Sequence, residues 1–349
     1  MDHAKWAHGE KNIRDERGGA PEQLVLAADI GGTKTNLAIY GPGRVRPEPL
    51  VIKEVASVGD LEEIVADFLA EQGHPQIERA CFAIAGPVIA GCCQTTNLPW
   101  RVCQEQLGQR LGLPLTLLND LAATGQAIPL LDSQEIHPLQ EGQGQEGGVV
   151  ALLAPGTGLG TALINNHKGS WQAMASEGGH VDFAPMDEEQ VGLWRFIHHR
   201  YGHVSTERLA SGLGIVNIFA WLKEEGHHEV PHWLSQELAH GDKAQAITAA
   251  ASGEGEPICV KTLNLFCSIL GAVAGNLALT ALATGGVYLG GGIPPKILES
   301  LRSGPFLAGF VSKGRFRELL SSIPVRVILN EQAPLLGAAD YALAPVAQE

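Results

Sequence analysis

Residues Leu24–Tyr40 read LVLAADIGGTKTNLAIY. Leu24–Ile30 is an almost unbroken apolar run, short enough for a strand buried on both faces. Gly31-Gly32-Thr33 interrupts it, and Lys34–Tyr40 resumes a strand-like pattern. The unit reads strand, glycine turn, strand. The same shape returns over Ala154–Ile164, where Gly156–Gly160 (GTGLG) is the turn. Identities between the two are few, so the echo lies in shape. No short solenoid repeat is visible.

Outward from this hairpin, Leu61, Ile64, Val65, Phe68 and Leu69 share one face of a helix. Ala80–Ala85 and Leu115–Leu118 are further apolar strands, so the first part of the chain reads as mixed α/β. Asp132–Gly148 is rich in Gln, Gly and Glu and reads as an exposed linker or loop. Val149–Ala154 and Thr161–Asn165 are strands around the second glycine turn. Glu188–Leu282 is mostly helical, with breaks near Gly226 and Ser252–Glu256. Val287–Leu289 is a strand that runs into Gly290-Gly291-Gly292, and Pro294 stands where a helix would begin. Val325–Leu329 is a last strand and Pro334–Ala344 a last helix.

The chain has 349 residues, enough for roughly two domains. Apolar residues make up 45% and charged residues 18%, which excludes wholesale disorder. The net charge of −14 repels a phosphate backbone, and no basic patch offsets it, so nucleic-acid binding is not expected. A small polyanion can still bind where backbone N–H groups and a metal receive it. The six cysteines show no CxxC pair and no zinc-finger spacing, and read as free buried thiols. His198-His199, His227-His228 and His240 lack ligand spacing and read as surface and helix-face residues. Residues 1–23 are polar, lack the apolar core of a signal peptide, and read as a disordered extension. Thr262–Pro295 carries no charge, but Asn264, Asn276, Thr280 and Thr284 interrupt it, so a buried core helix is expected rather than a membrane span.

Three glycine turns could receive phosphate: Gly31-Gly32-Thr33, Gly156–Gly160 and Gly290–Gly292. None is a P-loop or a dinucleotide fingerprint, because the first two lead into strands rather than helices. A hairpin clip with Asp29 at the end of its first strand is a different device. Asp29 would hold Mg²⁺, directly or through water, and Thr33 would offer its hydroxyl and N–H. Ordinary hairpin turns are the bland alternative.

DIGGTKTNLAIY, AIAGP, TNLPW, LLNDLAATG, PGTGLGTALI, SEGGHVDFAP, ERLASGLGIVNIF and LGGGIPPKI occur in this order. From about Leu24 to Leu343 the chain resembles the bacterial glucokinases outside the repressor and sugar-kinase (ROK) group. The resemblance implies an α/β, two-domain actin-like ATPase fold of the ribonuclease-H-like kind, with a cleft between a small and a large domain. It implies a small domain of 24–131 completed by 333–349, and a large domain of 132–332. It implies a cytoplasmic homodimer that uses Mg-ATP to phosphorylate the 6-hydroxyl of glucose.

By the same resemblance, Asn119, Asp120, Glu177, His180 and Glu207 contact the sugar, with Thr96 and Asn97 lining its pocket. Asp29, Gly31, Gly32, Thr33, Thr157, Gly158 and Gly160 fall on the phosphates, and Gly290, Gly291 and Gly292 at the adenosine. The family commonly has Asn-Ala-Arg after its first turn, where this chain has Lys34-Thr35-Asn36. Lys34 could supply the missing charge. Asp120 follows a rigid apolar strand and suits a general base for the attacking hydroxyl. The polar set could discriminate sugars by leaving buried groups unpaired under the wrong one.

Each residue also has a plainer reading. Asn119-Asp120 could cap a helix over Leu121–Ala127. Glu177 and His180 could form a surface turn. Glu207 could favour a helix N-terminus after Ser205-Thr206. Two rival functions stay open. ROK kinases and repressors carry a cysteine-rich motif after their histidine, whereas Val181–Met186 has no cysteine. Filament and chaperone ATPases share the fold but need no sugar-type polar set.

Overall fold

The structure is a computed structural model that describes residues 23–32, 34–95, 98–167, 170–226 and 228–344. The expected extension at 1–23 thus lies outside the described residues, save for Gln23, as does His227.

The hairpin of the first apolar run is present as β1 (Leu24–Ile30) and β2 (Lys34–Gly41), paired antiparallel from Val25↔Tyr40 to Ile30↔Thr35. The remaining strands are β3 (Glu48–Ala56), β4 (Ile77–Ile84), β5 (Val88–Ile89), β6 (Cys92–Gln94), β7 (Arg101–Cys103), β8 (Leu115–Asn119), β9 (Ile136–Gln140), β10 (Val150–Pro155), β11 (Leu159–His167), β12 (Ser170–Ser176), β13 (Gly286–Leu289) and β14 (Val325–Ile328). Contacts divide the chain into Met1–Ala123 with Pro334–Glu349, called unit 1 below, and Thr124–Ala333, called unit 2.

Unit 1 carries a sheet in the order β3-β2-β1-β4-β8. β4 and β8 run parallel to β1, which explains why β1 is apolar but for Asp29: a central strand is covered on both faces. The helix Leu61–Glu71 starts at Asp60, whose carboxylate accepts the Glu62 N–H at 2.8 Å. Its buried Leu61, Val65 and Phe68 join Leu26, Ile30, Phe82 and Ile84 in one core. A small sheet of β5, β6 and β7 hangs on the same unit.

Unit 2 carries a sheet in the order β12-β11-β10-β13-β14-β9. β10 and β11 form an antiparallel hairpin, and β13 and β14 lie parallel to β10 on its other side. The echo of shape is therefore real: each unit sets a hairpin beside parallel strands. The helix Pro257–Ala281 is the one described helix long and apolar enough to cross a membrane, yet 78% of its most apolar window is buried. It is the expected core helix, packed around Phe266, Ile269 and Leu270. The helix Pro305–Val311 approaches so closely that a Cβ on Gly271 would strike the Phe306 carbonyl.

Three expectations need correction. Asp132–Gly148 is not all loop: β9 lies within it and pairs with β14 at the sheet edge. Pro138 is tolerated there because an edge strand need not donate on its outer side. The helical stretch after Glu188 has two further breaks, at 202–211 between the helices Glu188–Tyr201 and Gly212–Glu224, and at 241–242 between His232–His240 and Lys243–Ser252. The cysteines are not all free. Register across β6 and β7 sets Cys92 opposite Cys103, and the two form a disulfide. Cys81, Cys93, Cys259 and Cys267 are free and buried, as expected.

Candidate active site

In unit 1 the candidate residues gather where β1, β4 and β8 end. Ligands of open α/β sheets bind at such carboxyl ends. Gly31-Gly32 makes the turn after β1, and the Gly31 N–H donates to the Lys34 carbonyl at 2.9 Å. The Ser57 hydroxyl donates to the Gly31 carbonyl at 3.0 Å and holds the turn from β3. Asp29 stands opposite Asn36 on one side and Ala83 of β4 on the other. Asp120 follows β8 directly and opens the helix Asp120–Ala127.

Burial pushes the Asp29 carboxyl up to about 6, and the negative charge of Asp120 adds to the rise. A side-chain hydrogen bond with Asn36 pulls the other way. A buried carboxylate beside the charge of a second one forms a place that favours a cation. The oxygen donors suit Mg²⁺, which is typically held by one or two carboxylates together with water and substrate phosphates.

Asn119 and Asp120 both meet the start of the helix, and the Leu121 N–H donates to Asp120 Oδ1 at 2.9 Å. Asn119 Oδ1 accepts the N–H groups of Leu121 (3.0 Å) and Ala122 (3.3 Å), so the helix-cap reading holds. Asn119 Nδ2 donates to the Gly86 carbonyl at 3.0 Å and keeps one hydrogen for another partner. Lys34 meets Glu54 of β3 at 2.8 Å, with both side chains more than half exposed. Thr33, Thr96 and Asn97 lie outside the described residues.

In unit 2 the quoted motifs converge on the end of β10. The turn Gly156-Thr157-Gly158 joins β10 to β11, and Gly160 faces Ala154 across the hairpin. Gly290 donates its N–H to the Leu153 carbonyl at 2.8 Å. Gly291, at φ +79°, packs on the backbone of Ala154 and Pro155, where a Cβ would lie 2.7 Å from the Pro155 carbonyl. Gly292 follows it.

Glu177 and His180 flank a short turn, with side chains 67% and 61% exposed, so they do form a surface turn within unit 2. Glu207 is only 27% exposed and lies in the break between helices rather than at a helix N-terminus. His180 Nε2 is 3.8 Å from Glu177, and Nδ1 is 3.9 Å from Glu207. Both distances exceed hydrogen-bond range, so these polar atoms are not consumed by one another.

Sequence reasoning missed several contacts. Asn36 was marked only as a departure from the family pattern, although hairpin register alone sets it across from Asp29. Nothing in the sequence marks the Leu159 N–H, which donates to Glu207 Oε2 at 2.9 Å.

The fold and this pairing of glycine turns with carboxylates define an actin-like sugar kinase. The family model described as Glucokinase matches residues 26–345. A glucokinase of Nostoc punctiforme is 40% identical over 333 residues, covering 90% of this chain and 98% of the relative. The crystal structure of a glucokinase from an Antarctic psychrotroph superposes with a TM-score of 0.80 at 30% identity, covering 92% of this chain and 98% of that one. A ROK family glucokinase from Streptomyces griseus, solved with glucose and AMPPNP, shares the fold at a TM-score of 0.63 and 23% identity, covering 91% and 99% of the two chains. The chain belongs to the glucokinase family, whose members are glucose kinases.

Proposed function

We propose that this chain transfers the terminal phosphoryl group of Mg-ATP to the 6-hydroxyl of D-glucose, giving glucose 6-phosphate and ADP. The observation that carries the reading is the pair Asp29 and Asp120, two neighbouring carboxylates at strand ends with different surroundings. Asp120 is the general base: it accepts the 6-hydroxyl proton as the sugar oxygen bonds to phosphorus and the bond to ADP breaks. Asp29 is the carboxylate for Mg²⁺, which when bound offsets the charge of the phosphates. Asn36 orients Asp29.

The phosphate-binding residues are Gly31, Gly32 and Thr33 in unit 1, with Lys34 as the cation, and Thr157, Gly158 and Gly160 in unit 2. The adenosine lies at Gly290–Gly292. Asn119, Glu177, His180 and Glu207 hold the sugar hydroxyls, joined by Thr96 and Asn97. The glucose and AMPPNP of the S. griseus structure support both ligands here.

We further infer a homodimer that works in the cytoplasm, on family resemblance. Sedimentation equilibrium showing a monomer would overturn the first. The activity is tested by a coupled assay for glucose 6-phosphate with glucose and ATP, with and without Mg²⁺. Absence of product at saturating substrates would overturn it.

A further inference from the structure

We propose that Glu207 couples the two ligands of unit 2, with one carboxylate oxygen fixing the phosphate turn and the other facing the sugar side. This rests on reading Gly156–Gly160 as the phosphate turn and Glu177, His180 and Glu207 as sugar contacts.

The segment 206–212 holds both motifs at once. Toward the turn, the Leu159 N–H donates to Glu207 Oε2 at 2.9 Å, and the Gly212 N–H donates to the Gly156 carbonyl at 2.8 Å. The turn is thus gripped at both ends. Toward the sugar side, the Glu207 N–H donates to the Gly179 carbonyl at 2.8 Å, and the Thr206 hydroxyl donates to the same carbonyl at 2.7 Å. The Ser211 hydroxyl, which also caps the following helix, donates to the Glu207 carbonyl at 2.6 Å.

Two glycines are required by this contact. A Cβ on Gly158 would collide with the Glu207 carboxylate, and one on Gly179 would collide with the Leu159 carbonyl. The sugar-side turn and the phosphate turn therefore touch backbone to backbone, and Glu207 bonds to both: its carboxylate to the Leu159 N–H and its own N–H to Gly179, while Oε1 faces His180 Nδ1 at 3.9 Å.

A carboxylate beside a phosphate turn repels the incoming anion unless its charge is engaged. A sugar hydroxyl donating to Oε1 draws that charge toward the sugar and fixes the side-chain torsions. The turn then meets nucleotide already ordered, and the second ligand binds at lower entropic cost. Linkage makes the effect reciprocal, so nucleotide tightens sugar by the same factor.

The test is calorimetric titration of glucose with and without a saturating non-hydrolysable Mg-ATP analogue. In the wild type the analogue tightens glucose by at least about fivefold, the lower end of usual coupling. Glu207→Ala removes the coupling. So does Gly158→Ala, which keeps Glu207 but pushes its carboxylate off the Leu159 N–H. Glu177→Gln weakens glucose yet keeps the coupling factor. Full coupling in both Glu207→Ala and Gly158→Ala overturns the proposal, as does equal loss in Glu177→Gln. A wild type that binds both ligands without coupling overturns it while leaving the kinase reading intact. A wild type that binds neither ligand removes the kinase reading itself, and this proposal with it.

Discussion

Asp29 and Asp120 stand at the ends of strands on either side of β4, close enough that the charge of one raises the proton affinity of the other. Burial is the larger cause of the rise at Asp29, and the Asp120 charge adds to it. Removing either carboxylate costs activity, but by different routes.

Asp120→Asn keeps shape and one hydrogen bond but cannot take a proton from the attacking hydroxyl. Turnover falls by roughly 10²–10⁴-fold, the usual worth of a general base, while glucose affinity weakens far less. Glu177→Gln does the reverse, losing mainly sugar affinity. Steady-state turnover beside direct glucose binding separates them. Near-wild-type turnover in Asp120→Asn would pass the base role to another group.

Asp29→Asn makes the metal-free protein more stable at neutral pH and strips Mg²⁺-dependent activity. The folded carboxyl, at about 6, lies above its ordinary value of 3.8. Such a group favours the fold fully below the lower value, and that contribution is lost as pH rises through the upper one. The native protein without metal therefore loses about 2–3 kcal/mol from this group between those limits, and the variant does not. Melting curves from pH 4 to 8 in chelator check it. Parallel curves for the two proteins would refute it.

Lys34→Gln raises the KM for nucleotide and weakens its dependence on salt, while the melting temperature barely moves. The bridge to Glu54 is exposed and contributes on the order of 0–1 kcal/mol. An unchanged KM would show that phosphate charge is met elsewhere.

Denatured protein prepared without reductant titrates four thiols, and reduced protein titrates two more. Replacing Cys92 and Cys103 by serine costs about 2–4 kcal/mol relative to the oxidised form. The bond closes the segment that contains Thr96 and Asn97, so the same variant also tests whether glucose affinity depends on it. Six accessible thiols in unreduced protein would remove the bond from the account.

The hairpins were legible because their pattern is local. LVLAADI has too many apolar residues in a row for anything but a covered strand, and it is β1 from Leu24 to Ile30. β9 was hidden because Glu, Gln and Gly surround it and only Ile136 and Leu139 are apolar within it. It is a strand because β14 offers an edge, which is information from far along the chain. The Cys92–Cys103 bond depends on a register that two very short strands do not announce. Glu207 was found through its motif, but its carboxylate on the Leu159 N–H lies 48 residues away in sequence. Gly158 carries the matching signal, a missing side chain where a carboxylate sits, and a missing side chain does not say what fills its space.

The last helix, Ala333–Leu343, has a consequence for synthesis. Apart from Ala333 it belongs to unit 1, and the Arg79 guanidinium donates to the Ala344 carbonyl at 2.9 Å. Unit 2 is one continuous stretch and is complete once residue 333 has been made. Unit 1 starts first and finishes last. A ribosome translating this message carries an unfinished unit 1 throughout the making of unit 2, with its sheet already made and its last helix still to come. Unit 2 can fold while still tethered, whereas unit 1 closes only once residues from 334 onward have emerged.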